Sequence, residues 1–188
     1  MIGVWIALGI VVLLLIVFIA TYNSLMGLRN QVKNAWAQID VQLKRRYDLI
    51  PNLVETVKGY MKFERETLEA VTKARNLAQS MASSGSVGER SKAEGELSGA
   101  LSRLLVVVER YPELKANQNF LALQEELTST ENKISFSRQF FNDSVLRYNN
   151  KTQMFPSNLI AGMTGFKSWE FFEVKAPAER EATKVSFT

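Results

Sequence analysis

Asn34-Ala35-Trp36-Ala37-Gln38-Ile39-Asp40-Val41-Gln42-Leu43-Lys44-Arg45-Arg46-Tyr47-Asp48-Leu49-Ile50-Pro51-Asn52-Leu53-Val54 decides the fold. Its apolar positions belong to a longer series, Val32, Trp36, Ile39, Leu43, Tyr47, Ile50, Val54, Val57 and Met61, spaced by three or four residues. That is the spacing of one face of an α-helix. The mean step, about 3.6, keeps phase on a straight helix, so the stripe favours a nearly untwisted bundle over a left-handed coiled coil.

Working back from this stretch, every residue from Ile2 to Ala20 is apolar or Gly. A run of this length, at about 1.5 Å per residue, covers a hydrocarbon core of roughly 30 Å. Residues 1–21 therefore read as a transmembrane anchor that includes Ile2, Trp5, Ile16 and Ala20, with Trp5 and Tyr22 near its two interfaces. A cleaved signal peptide is the competing reading, but the run has no basic flank before it and no small-x-small site after it. Arg29, Lys33 and then Lys44, Arg45 and Arg46 follow the span. The positive-inside rule places the amino terminus outside and the soluble body in the cytoplasm of a single-pass protein.

Working forward, Pro51 is the break. Proline fits a first helical turn better than a helix interior, so the expected arrangement is a tight turn at Asp48 to Pro51 and a second helix over 51–82. The uninterrupted apolar phase through Ile50 and Val54 keeps a kinked continuous helix as the alternative. Ser83 to Gly88 reads as a loop, and Ser91 with Glu94 as a capping box opening a third helix over 91–111. Pro112 ends that helix, and Asn117 is a plausible cap for a fourth over 119–153. The expected fold is all-α, an antiparallel up-down four-helix bundle over 22–153 whose first helix continues from the anchor.

In that topology the fourth helix returns to the membrane, which makes residues 154–166 a membrane-proximal apolar segment. It contains Phe155, Leu159, Ile160 and Phe166 and has no charge before Lys167. These residues either cap the bundle core or touch lipid. The tail, 167–188, carries Trp169, Phe171 and Phe172, too much aromatic surface for a free end, so part of it is expected to dock. From Ala176 onward the tail reads as more mobile, with Val185 and Phe187 as potential anchors of its last residues.

Among 188 residues there is neither Cys nor His. Disulfides and thiolate chemistry are excluded, and the commonest general base and transition-metal ligand are missing. The net charge of +4 is modest, and Lys and Arg mostly alternate with Glu along helices. That pattern describes solvated bundle faces rather than a nucleic-acid-binding stripe. Lys44, Arg45 and Arg46 form the most pointed polar cluster. It would either receive an acidic partner or phosphate, or pair with carboxylates on a neighbouring helix. Glu64, Glu66 and Glu69, and separately Glu125 and Glu126, are weak candidates for a divalent cation, because adjacent helical residues diverge by about 100°. Asn34, Asn52, Asn132, Asn142 and Asn149 are poor helix formers, and buried interhelical hydrogen bonds that fix register are expected of them, with subunit contacts as the alternative.

The chain resembles the LemA family. The likeness is carried by the quoted stretch, by Tyr22-Asn23-Ser24-Leu25, Leu28-Arg29-Asn30 and Lys58-Gly59-Tyr60, and by three later words. These are Glu131-Asn132-Lys133-Ile134, Arg138-Gln139-Phe140-Phe141-Asn142-Asp143 and Phe155-Pro156-Ser157-Asn158-Leu159-Ile160-Ala161. One departure is Phe63-Glu64, where members of the family usually carry His-Glu, so a metal or acid–base role for a His at that point is unsupported here. The resemblance implies a bacterial single-pass membrane protein with a helical bundle, no settled enzymatic activity, and no catalytic residues to carry over.

Together these readings lead to a membrane-anchored structural or interaction protein, not an enzyme, that needs no cofactor. Its expected partners are the lipid bilayer, further copies of itself and membrane proteins, and not nucleic acid. Organisation of the membrane surface is the alternative, with a carboxylate-based metal enzyme a distant third.

Overall fold

A computed structural model describes residues 1–61 and 64–173. All regular structure among these residues is helical: α1 (Ile2–Lys58), α2 (Arg65–Ser84), α3 (Val87–Val108), α4 (Pro112–Lys115), α5 (Gln118–Gln153) and α6 (Ser157–Thr164). Phe63, and Val185 and Phe187 at the end of the tail, lie outside the described residues.

The expected turn at Asp48 to Pro51 is not present, and α1 runs through Pro51 to Lys58. A proline inside a helix leaves the carbonyl four residues earlier without its N–H donor. Here that carbonyl belongs to Tyr47, and the Nε of Arg75 donates to it at 2.8 Å. The apolar phase prevails because the orphaned acceptor has another partner. Ile50, Leu53 and Val57 all stay buried on the continued helix. The reversal falls ten residues later, after Lys58, where Tyr60 and Met61 both donate to the Val57 carbonyl.

The described residues divide into two compact units, 1–41 with 135–171 and 42–134 with 172–173. The second unit contains the end of α1, all of α2, α3 and α4, and the start of α5. Contacts between side chains fix the helix directions within it. Tyr47 reaches Arg75 and Ala78 on α2, so α2 runs back along α1. Arg46 reaches Glu94 and Ser98, while Glu64, just beyond α1, accepts from Tyr111, so α3 runs with α1. Arg45 pairs with Glu126, and Asn117 donates to Tyr60, so α5 returns. This is the up-down-up-down order, with Leu43, Ile50, Leu53, Val71, Leu97, Leu104 and Phe120 in its core.

The cap of α3 also differs from expectation. Ser86 and Glu89, five residues before the expected pair, make the reciprocal capping box. The Ser86 backbone N–H, and then its hydroxyl, hold the Glu89 carboxyl below its ordinary range. Only Gly85 and Ser86 separate α2 from α3. A Cβ at Gly85 would lie 2.9 Å from the Met81 carbonyl, which accounts for glycine in so tight a link. Asn117 does cap α5, accepting from the backbone of Phe120.

The first unit is built on α1 from Ile2 to Val41 and α5 from Ser135 onward. The rings of Trp36 and Phe141 lie 5.1 Å apart. After α5 the chain turns into α6, which ends at Gly165 with φ 74°, a left-handed conformation suited to glycine. Ile160 and Ala161 of α6 close over Leu25, with Tyr22 and Phe166 packed against the same cluster. From Met1 to Ala20 every residue is exposed. The helix is long and apolar enough there to cross a membrane, and none of its most apolar part is buried inside the protein.

Candidate functional site

The first candidate is the basic cluster, and the structure divides its three members. Lys44 is exposed. Arg45 makes a half-exposed pair with Glu126, the kind of contact worth about 0–1 kcal/mol. Arg46, only 1% exposed, is among the largest fully buried side chains. Its Nη2 donates to Glu94 Oε2, and its Nη1 to Ser98 Oγ at 2.9 Å and Glu131 Oε2 at 2.6 Å. Glu94 accepts at its other oxygen from the Tyr47 hydroxyl. Burial, and then the bond to Glu94, push the Tyr47 hydroxyl well above its ordinary pKa.

One guanidinium thus ties α1 to α3 and α5, with two carboxylates around it. Removing water from these ions is costly, and their mutual attraction offsets that cost only when the geometry and remaining hydrogen bonds are satisfied. The network links three helices through groups distant in sequence. Glu131, half-exposed, lies at a cavity of about 230 Å³ whose lining includes Leu53, Leu101, Leu105 and Leu127.

The acidic residues do not converge. Glu69 pairs with Arg65, Glu126 with Arg45, and Glu64 with Tyr111 and Arg110. Among the described residues no three His, Cys, Asp or Glu side chains are grouped to hold a metal ion.

The second candidate lies in the first unit, beyond α5. Of the apolar residues expected to act there, Ile160 is buried and Phe166 half-buried, whereas Phe155 and Leu159 are 79% and 59% exposed. The tail docks as far as it is described. Asn149 donates its Nδ2 to the Trp169 carbonyl and accepts from the Trp169 N–H, both at 2.9 Å. The Tyr148 hydroxyl donates to the Lys167 carbonyl at 3.0 Å. Trp169 is half-buried and Phe171 partly exposed. Phe172, in the second unit, is buried, and Ser91 there donates to the Glu173 carbonyl.

The buried interhelical role expected of asparagine is absent at Asn34, Asn52, Asn132 and Asn149. Asn34, Asn52 and Asn132 are exposed, and the buried Asn149 holds an extended strap rather than a neighbouring helix. Ser91 and Glu94, expected as the capping pair of the third helix, lie instead inside α3 and serve as buried partners. Sequence reasoning missed Arg75, for which the carbonyl left open by Pro51 was the available signal.

An exposed apolar span leading into a helical body defines a membrane-associated all-α protein. The LemA family model matches residues 35–187, and the chain belongs to the LemA family. It is similar to the magnetosome protein MamQ of Magnetospirillum gryphiswaldense, at 25% identity over 195 residues, covering 89% of this chain and 72% of the relative. MamQ 1 of Paramagnetospirillum magneticum is 25% identical over 191 residues, covering 87% and 70%. Protein LemA of Metamycoplasma hominis is 28% identical over 147 residues, covering 77% and 65%.

Proposed function

We propose that this protein is a membrane-anchored structural and interaction protein, without catalytic activity, that assembles with itself and offers its helical faces to membrane-protein partners. The observation that carries this reading is the unbroken passage of α1 from the apolar span at Ile2–Ala20 into the packed face of Leu25, Val32, Ala35 and Ile39. A flexible linker would let a body search for substrate. A helix without a break instead holds the body at a fixed height. Anchoring also confines copies to two dimensions, which raises their effective concentration and lets a modest contact suffice for assembly. Phe136, 73% exposed, and Phe140 one turn later on α5 supply apolar surface for that contact. Arg29, Lys33 and Lys44 after the span support a cytoplasmic body.

Because the chain has no Cys, one introduced at Gln139 reports specifically on this face. Crosslinking in native membranes is expected to yield dimers or larger adducts. Phe136→Ser is expected to abolish them while changing stability by about 0.5 kcal/mol or less. Monomers alone, with no captured membrane protein under any condition, would count against the reading.

A second reading, organisation of the membrane surface, is favoured by the exposed apolar residues around α6.

A further inference from the structure

We propose that α6 and the turn before it form an interfacial foot that lies in the headgroup layer beside the span and binds anionic phospholipid. Met154, Phe155, Leu159 and Met163 are 62%, 79%, 59% and 80% exposed. They belong to one short segment of the first unit, while Ile160 and Ala161 on the other side of α6 are buried against Leu25. The segment is thus amphipathic, with its core-facing side satisfied and its second apolar side uncovered. An uncovered apolar surface of this kind needs an occupant.

Its position names the occupant. Leu25, under α6, is five residues beyond Ala20 on the same helix, a rise of about 7.5 Å. The headgroup region extends some 5–8 Å beyond the hydrocarbon edge on each side, so α6 lies at headgroup height. The aromatic contact of Tyr22 with Phe166, ring centroids 5.8 Å apart, ties the foot to the end of the span.

Charge selects the lipid. No Asp or Glu occurs from Met1 to Ile39 or from Ser144 to Trp169, whereas Arg29, Lys33, Arg147, Lys151 and Lys167 fall within those stretches. Arg29 lies over the Phe166 ring, 5.9 Å from its centroid, and Lys167 follows Phe166 directly. Such an end of the unit attracts phosphate-bearing anionic headgroups, and basic side chains close to a membrane surface add to binding one by one.

The inference rests on the anchoring described above, and its test separates the two. Full-length protein carrying a single environment-sensitive label at Ile10→Cys, Leu159→Cys or Asn76→Cys is reconstituted into phosphatidylcholine vesicles with and without phosphatidylglycerol. Quenching by headgroup-depth spin-labelled lipid is compared with quenching by an aqueous agent. The expected result is a label at 159 quenched by lipid at least about threefold more than the one at 76, more so with phosphatidylglycerol. Lys151→Gln with Lys167→Gln should weaken the dependence on phosphatidylglycerol. A label at 159 that is as water-accessible as that at 76, or that is shielded from both quenchers, overturns the foot when the label at 10 is buried in lipid. A water-accessible label at 10 overturns the anchor itself, and the foot with it.

Discussion

The two units bury different kinds of polar group. In the unit of residues 42–134 and 172–173 the buried polar set includes three ions, Arg46, Arg90 and Glu94. In the unit that carries the span, Ser144, Asn149, Thr152 and Ser157 are buried and none is charged. In this second set the hydroxyls complete their bonds locally. Ser144, Thr152 and Ser157 each donate to a carbonyl within six residues, and Asn149 reaches a strap twenty residues away. Ions instead bridge helices distant in sequence, as Arg46 does to Glu131. Among the described residues buried charge occurs only where four helices meet, beside the neutral Ser91 and Thr130, whereas the other unit buries neutral groups alone.

The largest effect is expected from Arg46→Met, which leaves Glu94 and Glu131 without their cation. It should cost about 3–5 kcal/mol in denaturant unfolding, and adding Glu94→Leu should return much of the loss. A small loss from Arg46→Met alone would remove the contrast between the units.

Next comes the carbonyl left open by Pro51. Arg75→Met should destabilise by about 1–3 kcal/mol, because a buried acceptor loses its partner. In a Pro51→Ala background, where residue 51 again has an N–H for Tyr47, the same substitution should cost measurably less. Additive effects in this double-mutant cycle would rule out the compensation.

Asn149→Leu in the first unit should cost about 1–2 kcal/mol, below Arg46→Met, since only neutral hydrogen bonds are lost. It should also expose Trp169, read as a red shift in the fluorescence of a variant in which Trp5 and Trp36 are Phe.

The smallest effect is a pH dependence. The pKa of Tyr47 is raised by burial and then by Glu94, so the folded protein keeps a proton that the unfolded chain releases at about pH 10. Stability from this group is fully present below that pH and is lost above it, by at most about 1.4 kcal/mol per pH unit. Tyr47→Phe should flatten that alkaline limb. Tyr148, raised by burial and opposed by Arg29, should produce a weaker limb of the same sign.

What the sequence shows of this molecule follows its periodicity. The stripe from Val32 to Met61 predicts the buried face of α1, and most of its members are buried. The cap at Asn117, the start of α5 and the docking of the tail are equally legible, because each rests on local chemistry or on aromatic excess. Pro51 misleads because its helix-breaking tendency is a local property, while the Arg75 donor that offsets it comes from another helix. Ser91 and Glu94 mislead for a related reason. Their spacing matches a cap, but so does that of Ser86 and Glu89, and only tertiary contacts with Arg46 and Tyr47 show which pair lies inside the helix. Of the candidate site, the apolar character of residues 154–166 is visible in composition. The division into a buried side at Ile160 and an exposed side at Leu159 is not, because α6 is too short to establish a period.

One helix carries the chain past Pro51 without reversing. Lys44 and Lys58, both exposed on α1, lie seven residues either side of that proline and on nearly the same face. Spin labels at these two positions, measured by pulsed dipolar spectroscopy on the full-length reconstituted protein, should give a backbone separation of about 21 Å for continuous helix. A separation near 10 Å, that of two packed antiparallel helices, would contradict it.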